Sequence, residues 1–246
     1  DGGELIEISY SGIRRKKVID NYNKICIFEY IYFLNPDSIM NDNKVFNIRY
    51  NLGYKLAESE TIKDKDNIVV IGSPDTGIPS GKGFADRLEV EYQQFLEKNK
   101  NKGRSFIIST NEGRKEECKK KFLVNPEFSI KDKIVYFVDD SIVRGNTTRR
   151  IVELLKEYNP KEINIRISSP KIVDICKFGI DIPTKEELIM NKQNESDYSE
   201  EVGFNSLKYL DLESMKEVIG NSLGKSTNDF CIGCFGGGYE SKLLDW

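Results

Sequence analysis

The sequence predicts an α/β fold: a mainly parallel, twisted sheet flanked by helices. Two observations carry that expectation. Compact apolar runs at Ile68 to Ile71 and Ile134 to Val138 have the length and continuity of strands buried on both faces, and a further strand is expected at Ile163 to Ile167. Helical spacing fills the stretches around them, and two of the runs lead into loops of small residues and carboxylates, which is where open α/β sheets bind their ligands.

Taken in order, Leu5 to Ile8 reads as a strand. Ile25 to Phe33, aromatic and β-branched, reads as another, closed by the turn Asn35-Pro36-Asp37-Ser38. Val45, Ile48, Leu52 and Leu56 then recur at helical spacing, and the strand Ile68 to Ile71 follows. After it comes the loop Gly72-Ser73-Pro74-Asp75-Thr76-Gly77, with Gly83, Phe84 and Ala85 on or near the next helix. A strand is expected at Phe106 to Ile108, and then the apolar run Val135 to Val138 enters Asp139 and Asp140. The helix after that loop, from Thr147 to Tyr158, carries Ile151, Val152, Leu154 and Leu155. Residues 191–201, rich in Asn, Ser and Glu, read as a mobile loop, and there is no internal repeat.

A chain of 246 residues with 38% hydrophobic content can bury one good core, and it reads as one domain over residues 1–246. A net charge of -3 with Lys and Glu interspersed gives no general attraction to nucleic acid. No stretch approaches the roughly 18 apolar residues of a membrane helix, and the start is not a secretory leader. The expectation is a soluble, cytoplasmic protein with neither nucleic acid nor membrane as partner. Asp1-Gly2-Gly3-Glu4 is not an initiator sequence, so the chain reads as a piece of something longer. With no histidine, catalysis would lean on carboxylates, cations, backbone dipoles or a metal.

Residues 135–149 are the most informative. Gly145, Asn146, Thr147 and Thr148 can offer backbone amides and hydroxyls to a phosphate at a helix N-terminus. Ionised Asp139 and Asp140 only accept hydrogen bonds, so they suit vicinal hydroxyls, and they can hold Mg2+ directly or through its waters. The plainer reading is that Asp140 or Thr147 merely caps a helix, but strand, loop and helix together favour a phosphoribose site. Cys231-Ile232-Gly233-Cys234 alone fits a redox pair, half a zinc site or half an iron-sulfur site.

Val138-Asp139-Asp140-Ser141-Ile142-Val143-Arg144-Gly145 resembles the phosphoribosyl diphosphate (PRPP) motif of type I phosphoribosyltransferases, and its wording is most similar to the amidophosphoribosyltransferase family. Pro74-Asp75-Thr76-Gly77 resembles the family's pyrophosphate loop, where Thr76 keeps the hydroxyl of the usual serine. Lys98 to Arg104, followed by Ser105-Phe106-Ile107, resembles its flexible catalytic loop, although the family typically has Arg and Tyr where Lys100 and Asn101 stand. Arg114 and Lys119 to Lys121 lie in a second basic stretch of the pattern. Cys26, Cys176, Cys231 and Cys234 fall where the family's iron-sulfur subgroup places ligands, while Cys118 has no such match. The resemblance extends from Gly3-Glu4 to Phe235.

The resemblance implies a type I phosphoribosyltransferase fold and an Mg2+-dependent transferase that displaces pyrophosphate from PRPP with ammonia, giving 5-phosphoribosylamine in the first step of purine synthesis. It places Asp139 and Asp140 at the ribose, Arg144, Gly145, Asn146, Thr147 and Thr148 at the 5-phosphate, and Asp75, Thr76 and Gly77 at the diphosphate, with Ser141 among the substrate-binding residues. Thr76 joins Asp139 and Asp140 around Mg2+, and Lys98, Lys100 and Arg104 become the catalytic cations. The cysteines imply a structural 4Fe-4S cluster, which four-thiolate spacing cannot separate from zinc. The family's glutaminase half, with its nucleophilic N-terminal cysteine, is not expected here because residue 1 is Asp. Ammonia from glutamine would need a glutaminase domain in cis or in trans, and self-association is expected. Two other readings are a PRPP-binding or assembly module without turnover and a transferase that uses a nucleobase.

Overall fold

The computed structural model describes residues 4–17, 24–62, 65–99, 122–182 and 184–239. The chain opens with an antiparallel hairpin, β1 (Glu4–Ser9) and β2 (Gly12–Lys17), whose side chains are largely exposed. β3 is only Ile25–Cys26, and then a π-helical turn runs over Glu29–Phe33. The extended strand expected to Phe33 is thus corrected. Ile27, Phe28, Tyr30 and Ile31 are buried while Glu29, Tyr32 and Phe33 face outward, a one-sided helical pattern rather than strand alternation. Buried Arg49 holds the turn, donating to the carbonyl oxygens of Tyr30 and Leu34 at 2.8 Å each.

A small ribbon, β4 (Ile39–Met40) and β5 (Asn43–Lys44), leads into α1 (Val45–Ala57). β6 (Ile68–Gly72) feeds α2 (Ile78–Leu88), and β7 (Glu91–Tyr92) returns to the sheet. β8 (Leu96–Lys98) and β9 (Phe122–Val124) pair antiparallel outside it. The expected strand at Phe106 to Ile108 lies outside the described residues. β10 (Ile134–Asp139), α3 (Asn146–Lys156) and β11 (Glu162–Ile167) form the next strand–helix–strand unit. A short helical turn at Ile189–Lys192 precedes α4 (Glu195–Val202), β12 (Ser206–Tyr209), α5 (Leu212–Leu223) and β13 (Phe230–Cys231).

The central sheet has the order β12-β11-β10-β6-β7, and every neighbouring pair is parallel. Its strands divide their side chains by the two-residue period. Val70, Tyr136 and Val138 join α1, α2 and α5 in one core, while Val69, Val135, Phe137 and Ile165 join α3 and α4 in the other. Strands covered on both faces explain the continuous apolar runs of the sequence. One polar island interrupts the first layer: buried Arg166 forms a two-pronged pair with Glu60 and lies 5.0 Å from the centre of the Tyr136 ring.

Residues 191–201 also depart from expectation, being mostly helical rather than a mobile loop. The Asn194 side chain accepts the Asp197 N–H as an N-cap, Glu195 and Asp197 sit at the positive end of the helix, and Gly203 closes it in a left-handed conformation. Fully buried Tyr198 supplies the anchor that composition hid. Among the described residues no helix is long and apolar enough to cross a membrane.

Candidate active site

Parallel register sets the site. With Val138 beside Gly72 and Asp139 beside Ile167, β10 and β6 release their loops at the same edge of the sheet. Asp139 and Asp140 follow at the end of β10 and are nearly inaccessible, at 6% and 4%. The Asp140 N–H donates to Asp139 Oδ1 at 2.9 Å, and Ser141 Oγ donates to Asp140 Oδ1 at 2.6 Å. Burial raises both carboxyls above the ordinary aspartate range; the neighbouring Asp140 charge raises Asp139 further, while the Ser141 and Thr76 hydroxyls and the Arg49 charge pull Asp140 back. Two acceptor groups are thus held in place with part of their charge uncompensated, a setting suited to a ligand bringing hydroxyl donors or a cation.

The β6 loop locks onto this edge. The Ser73 N–H donates to the Val138 carbonyl at 2.8 Å and the Gly77 N–H to the Ser73 carbonyl at 3.1 Å. A Cβ on Gly77 would lie 2.6 Å from the Val138 carbonyl oxygen, so glycine permits the close approach of the two loops. Asp75 has φ 72° and is exposed, and Lys98 Nζ from β8 meets its carboxylate at 2.9 Å. Across the cleft, Gly145 at φ 75° turns the chain into α3, and among the described residues no side chain caps the helix N-terminus, so the plain capping role considered for Asp140 and Thr147 is not seen.

The resulting cleft, about 410 Å³, is lined by Asp75, Thr76, Lys98, Asp139, Asp140 and Ser141 and by all of Arg144 to Thr148. Gly77 lies just behind it as the N-cap of α2. Arg144 stands at the rim, its Nε donating to Glu187 at 2.7 Å. Lys100 and Arg104, with Arg114, Cys118 and Lys119 to Lys121, lie outside the described residues.

A cleft between strand-end loops, with paired carboxylates on one side and an uncapped helix N-terminus on the other, suits a sugar phosphate. Residues 43–171 match the family model described as a phosphoribosyl transferase domain. The chain belongs to the phosphoribosyltransferase family. The amidophosphoribosyltransferase of Synechocystis sp. is 36% identical over 250 residues, covering 100% of this chain and 48% of that protein. The rat amidophosphoribosyltransferase is 40% identical over 217 residues, covering 87% of this chain and 41% of the relative. The solved structure of glutamine PRPP amidotransferase from B. subtilis, in complex with ADP and GMP, superposes with a TM-score of 0.79 at 35% identity, covering 97% of this chain and 53% of that one. The chain therefore spans about half the length of these relatives.

The chain also gathers its four described cysteines, all free thiols. β3 and β13 pair in parallel with Cys26 opposite Cys231, and Cys234 lies in the following turn. Cys176 arrives from the β11 side, where its Sγ accepts the N–H groups of Phe178 and Ile180 at 3.4 Å. Burial, then the charges of Cys26, Cys176 and Cys231, push the Cys234 thiol up to about 12. The thiols therefore share one neighbourhood, although among the described residues no group of three or more His, Cys, Asp or Glu side chains is arranged to hold a metal ion.

Sequence reasoning missed Ser73, the aromatic wall of Phe28, Tyr32 and Phe33, and the Ile180–Asp181–Ile182 rim, all of which line the cleft. The aromatic run was visible, but reading it as a strand hid its role. Arg49 left no local signal, because its burial and its charge interaction with Asp140 are tertiary events.

Proposed function

We propose that this chain catalyses phosphoribosyl transfer of the amidophosphoribosyltransferase type, the first step of purine synthesis. Ammonia attacks C1 of PRPP, the C1–N bond forms as the bond to pyrophosphate breaks, and the product is 5-phosphoribosylamine after loss of a proton from nitrogen. The observation that supports this reading above others is the meeting of two strand-end loops over the Asp139–Asp140 pair, opposite the open N-terminus of α3.

Asp139 and Asp140 accept the ribose hydroxyls and hold the sugar. Ser141 orients Asp140, and the amides from Gly145 to Thr148 take the 5-phosphate with Arg144 at the rim. Asp75, Thr76 and Gly77 present the loop for the diphosphate, and Lys98, already within reach of that loop, offsets its charge as it leaves. Lys100 and Arg104 are proposed to act with it when the loop of residues 98–104 closes and excludes water. Magnesium, for which Thr76, Asp139 and Asp140 are chemically suited oxygen donors, supplies charge neutralisation of the diphosphate when bound. Histidine is not needed, because positioning and electrostatics account for most of the work in an oxocarbenium-like displacement.

We also place Cys26, Cys176, Cys231 and Cys234 as ligands of a structural 4Fe-4S cluster. A thiol as disfavoured in its charged form as Cys234 needs a cationic partner to stay deprotonated, and amide donors on Cys176 are the kind of support such sulfurs receive. Iron with acid-labile sulfide, found after anaerobic preparation, supports this assignment; stoichiometric zinc in its place overturns it.

The catalytic reading is tested by pyrophosphate release from PRPP and Mg2+ with and without high ammonium at mildly alkaline pH. Ammonium-dependent release is expected. Tight PRPP binding without release on ammonium addition would overturn catalysis and leave a binding module, and release only with added nucleobase would reassign the acceptor. A glutaminase domain, in cis or in trans, is the proposed source of ammonia from glutamine, and self-association is checked by sedimentation.

A further inference from the structure

We propose that Tyr198 is a positioning residue for the 5-phosphate: from outside the cleft, its hydroxyl fixes the peptide that presents the first amide of α3. This inference rests on the phosphoribosyl reading of the cleft and deepens it. Tyr198 lies on α4, is fully buried, and donates its hydroxyl to the Gly145 carbonyl at 2.9 Å. That carbonyl also accepts the Arg149 N–H at 3.1 Å, so both of its lone pairs are engaged. In a planar trans peptide the Asn146 N–H points opposite to the Gly145 carbonyl, and it is therefore held out from the helix end towards the cleft that Gly145 and Asn146 line.

The turn is shaped around the tyrosine. A Cβ on Gly145 would lie 2.6 Å from the Tyr198 hydroxyl oxygen and 3.0 Å from the ring carbon that bears it. The Thr148 hydroxyl also interacts with Tyr198, although burial still leaves the phenol above its ordinary range. Arg149 places its guanidinium 5.2 Å from the ring centre and pairs with Glu201, which latches α4 to α3. A helix that could have been a solvated connector thus reaches the first turn of α3 at three neighbouring residues. For phosphate binding, the gain is preorganisation: the amide direction is set before the anion arrives.

The test is titration calorimetry of Tyr198→Phe with two probes that occupy different halves of the cleft, ribose 5-phosphate and Mg2+-pyrophosphate. The variant keeps the ring and removes the hydroxyl, and with it both the bond to the Gly145 carbonyl and the contact with Thr148. We expect affinity for ribose 5-phosphate to fall about five- to tenfold as the Asn146 amide loses its preset direction, while Mg2+-pyrophosphate binding stays near wild type; the lost intramolecular bond itself lowers the thermal midpoint by only a few degrees. Tyr198→Met, a second variant without the hydroxyl, must show the same selective loss. Unchanged ribose 5-phosphate affinity, or equal weakening towards both probes, overturns the role of Tyr198. A wild-type protein that binds neither probe overturns the phosphoribosyl reading itself, an outcome distinct from the other two.

Discussion

Asp139 and Asp140 are expensive residues to bury side by side, and that cost sets the pH behaviour of the site. Burial raises both carboxyls above the ordinary range, so part of the pair remains protonated where exposed aspartates are fully ionised. If the ligand needs the ionised pair, binding must expel that proton. Affinity for PRPP with Mg2+ should therefore rise with pH through the raised range and level off above it. Calorimetry in buffers of different ionisation enthalpy should record net proton release, and uptake would contradict the assignment. Replacing both aspartates with asparagine removes the charge at nearly constant shape and should abolish measurable PRPP binding, as read by the same titration.

Buried Arg49 is a cationic counterpart to Asp140. The residue is 1% exposed, two of its nitrogens hold the Tyr30 and Leu34 carbonyls, and among the described residues Nη1 has no hydrogen-bond partner. Burial lowers its pKa while the Asp140 charge raises it. Arg49→Met fills the space but strands two carbonyls of the π-helical turn, so a loss of about 3 kcal/mol in urea unfolding is expected. The same change takes a positive charge from Asp140 and should shift the pH dependence of PRPP binding upward.

At the scale of elements, the sheet carries one ion pair whose worth can be measured. Burial pushes the Glu60 carboxyl up, but Arg166 and Lys208 pull it down further, leaving it below the ordinary glutamate range. A carboxyl held below its unfolded value stabilises the fold above that unfolded value, and the contribution is lost as pH falls through the depressed folded value. Glu60→Ala leaves Arg166 buried without its partner and should cost about 3–5 kcal/mol at neutral pH. The penalty should shrink in acid, where wild type loses the same contribution. Denaturant titrations at neutral and acidic pH provide the comparison, and a constant difference would rule out the electrostatic account.

Across the whole molecule, the short β3–β13 pairing joins residues more than 200 positions apart, with Cys26 against Cys231. Two residues per strand supply little pairing energy, so this union depends on packing and, in the proposed holo form, on the metal. Chelation, or Cys231→Ser, should lower the thermal midpoint while leaving the β6 and β10 loops able to bind Mg2+-pyrophosphate. Concurrent loss of stability and all pyrophosphate binding would instead make the thiol region part of the ligand site.

Local residues were sufficient for the sheet strands at Ile68, Ile134 and Ile163, for the helix at Val45, and for the carboxylate–glycine loop after Val138, because an apolar or β-branched run or a tight turn is a property of neighbours in the chain. What only the tertiary structure decided was where distant side chains meet. It bent Ile27 to Phe33 into a turn because Arg49 captures two carbonyls there, made α4 from a stretch whose polar composition masked the burial of Tyr198, and brought Tyr198 under Gly145 across 53 positions of chain. The physical reason is the same in each case. Propensity and spacing act within a few residues, whereas the desolvation that buries Arg49, Tyr198 and the aspartate pair exists only once separate elements have packed together.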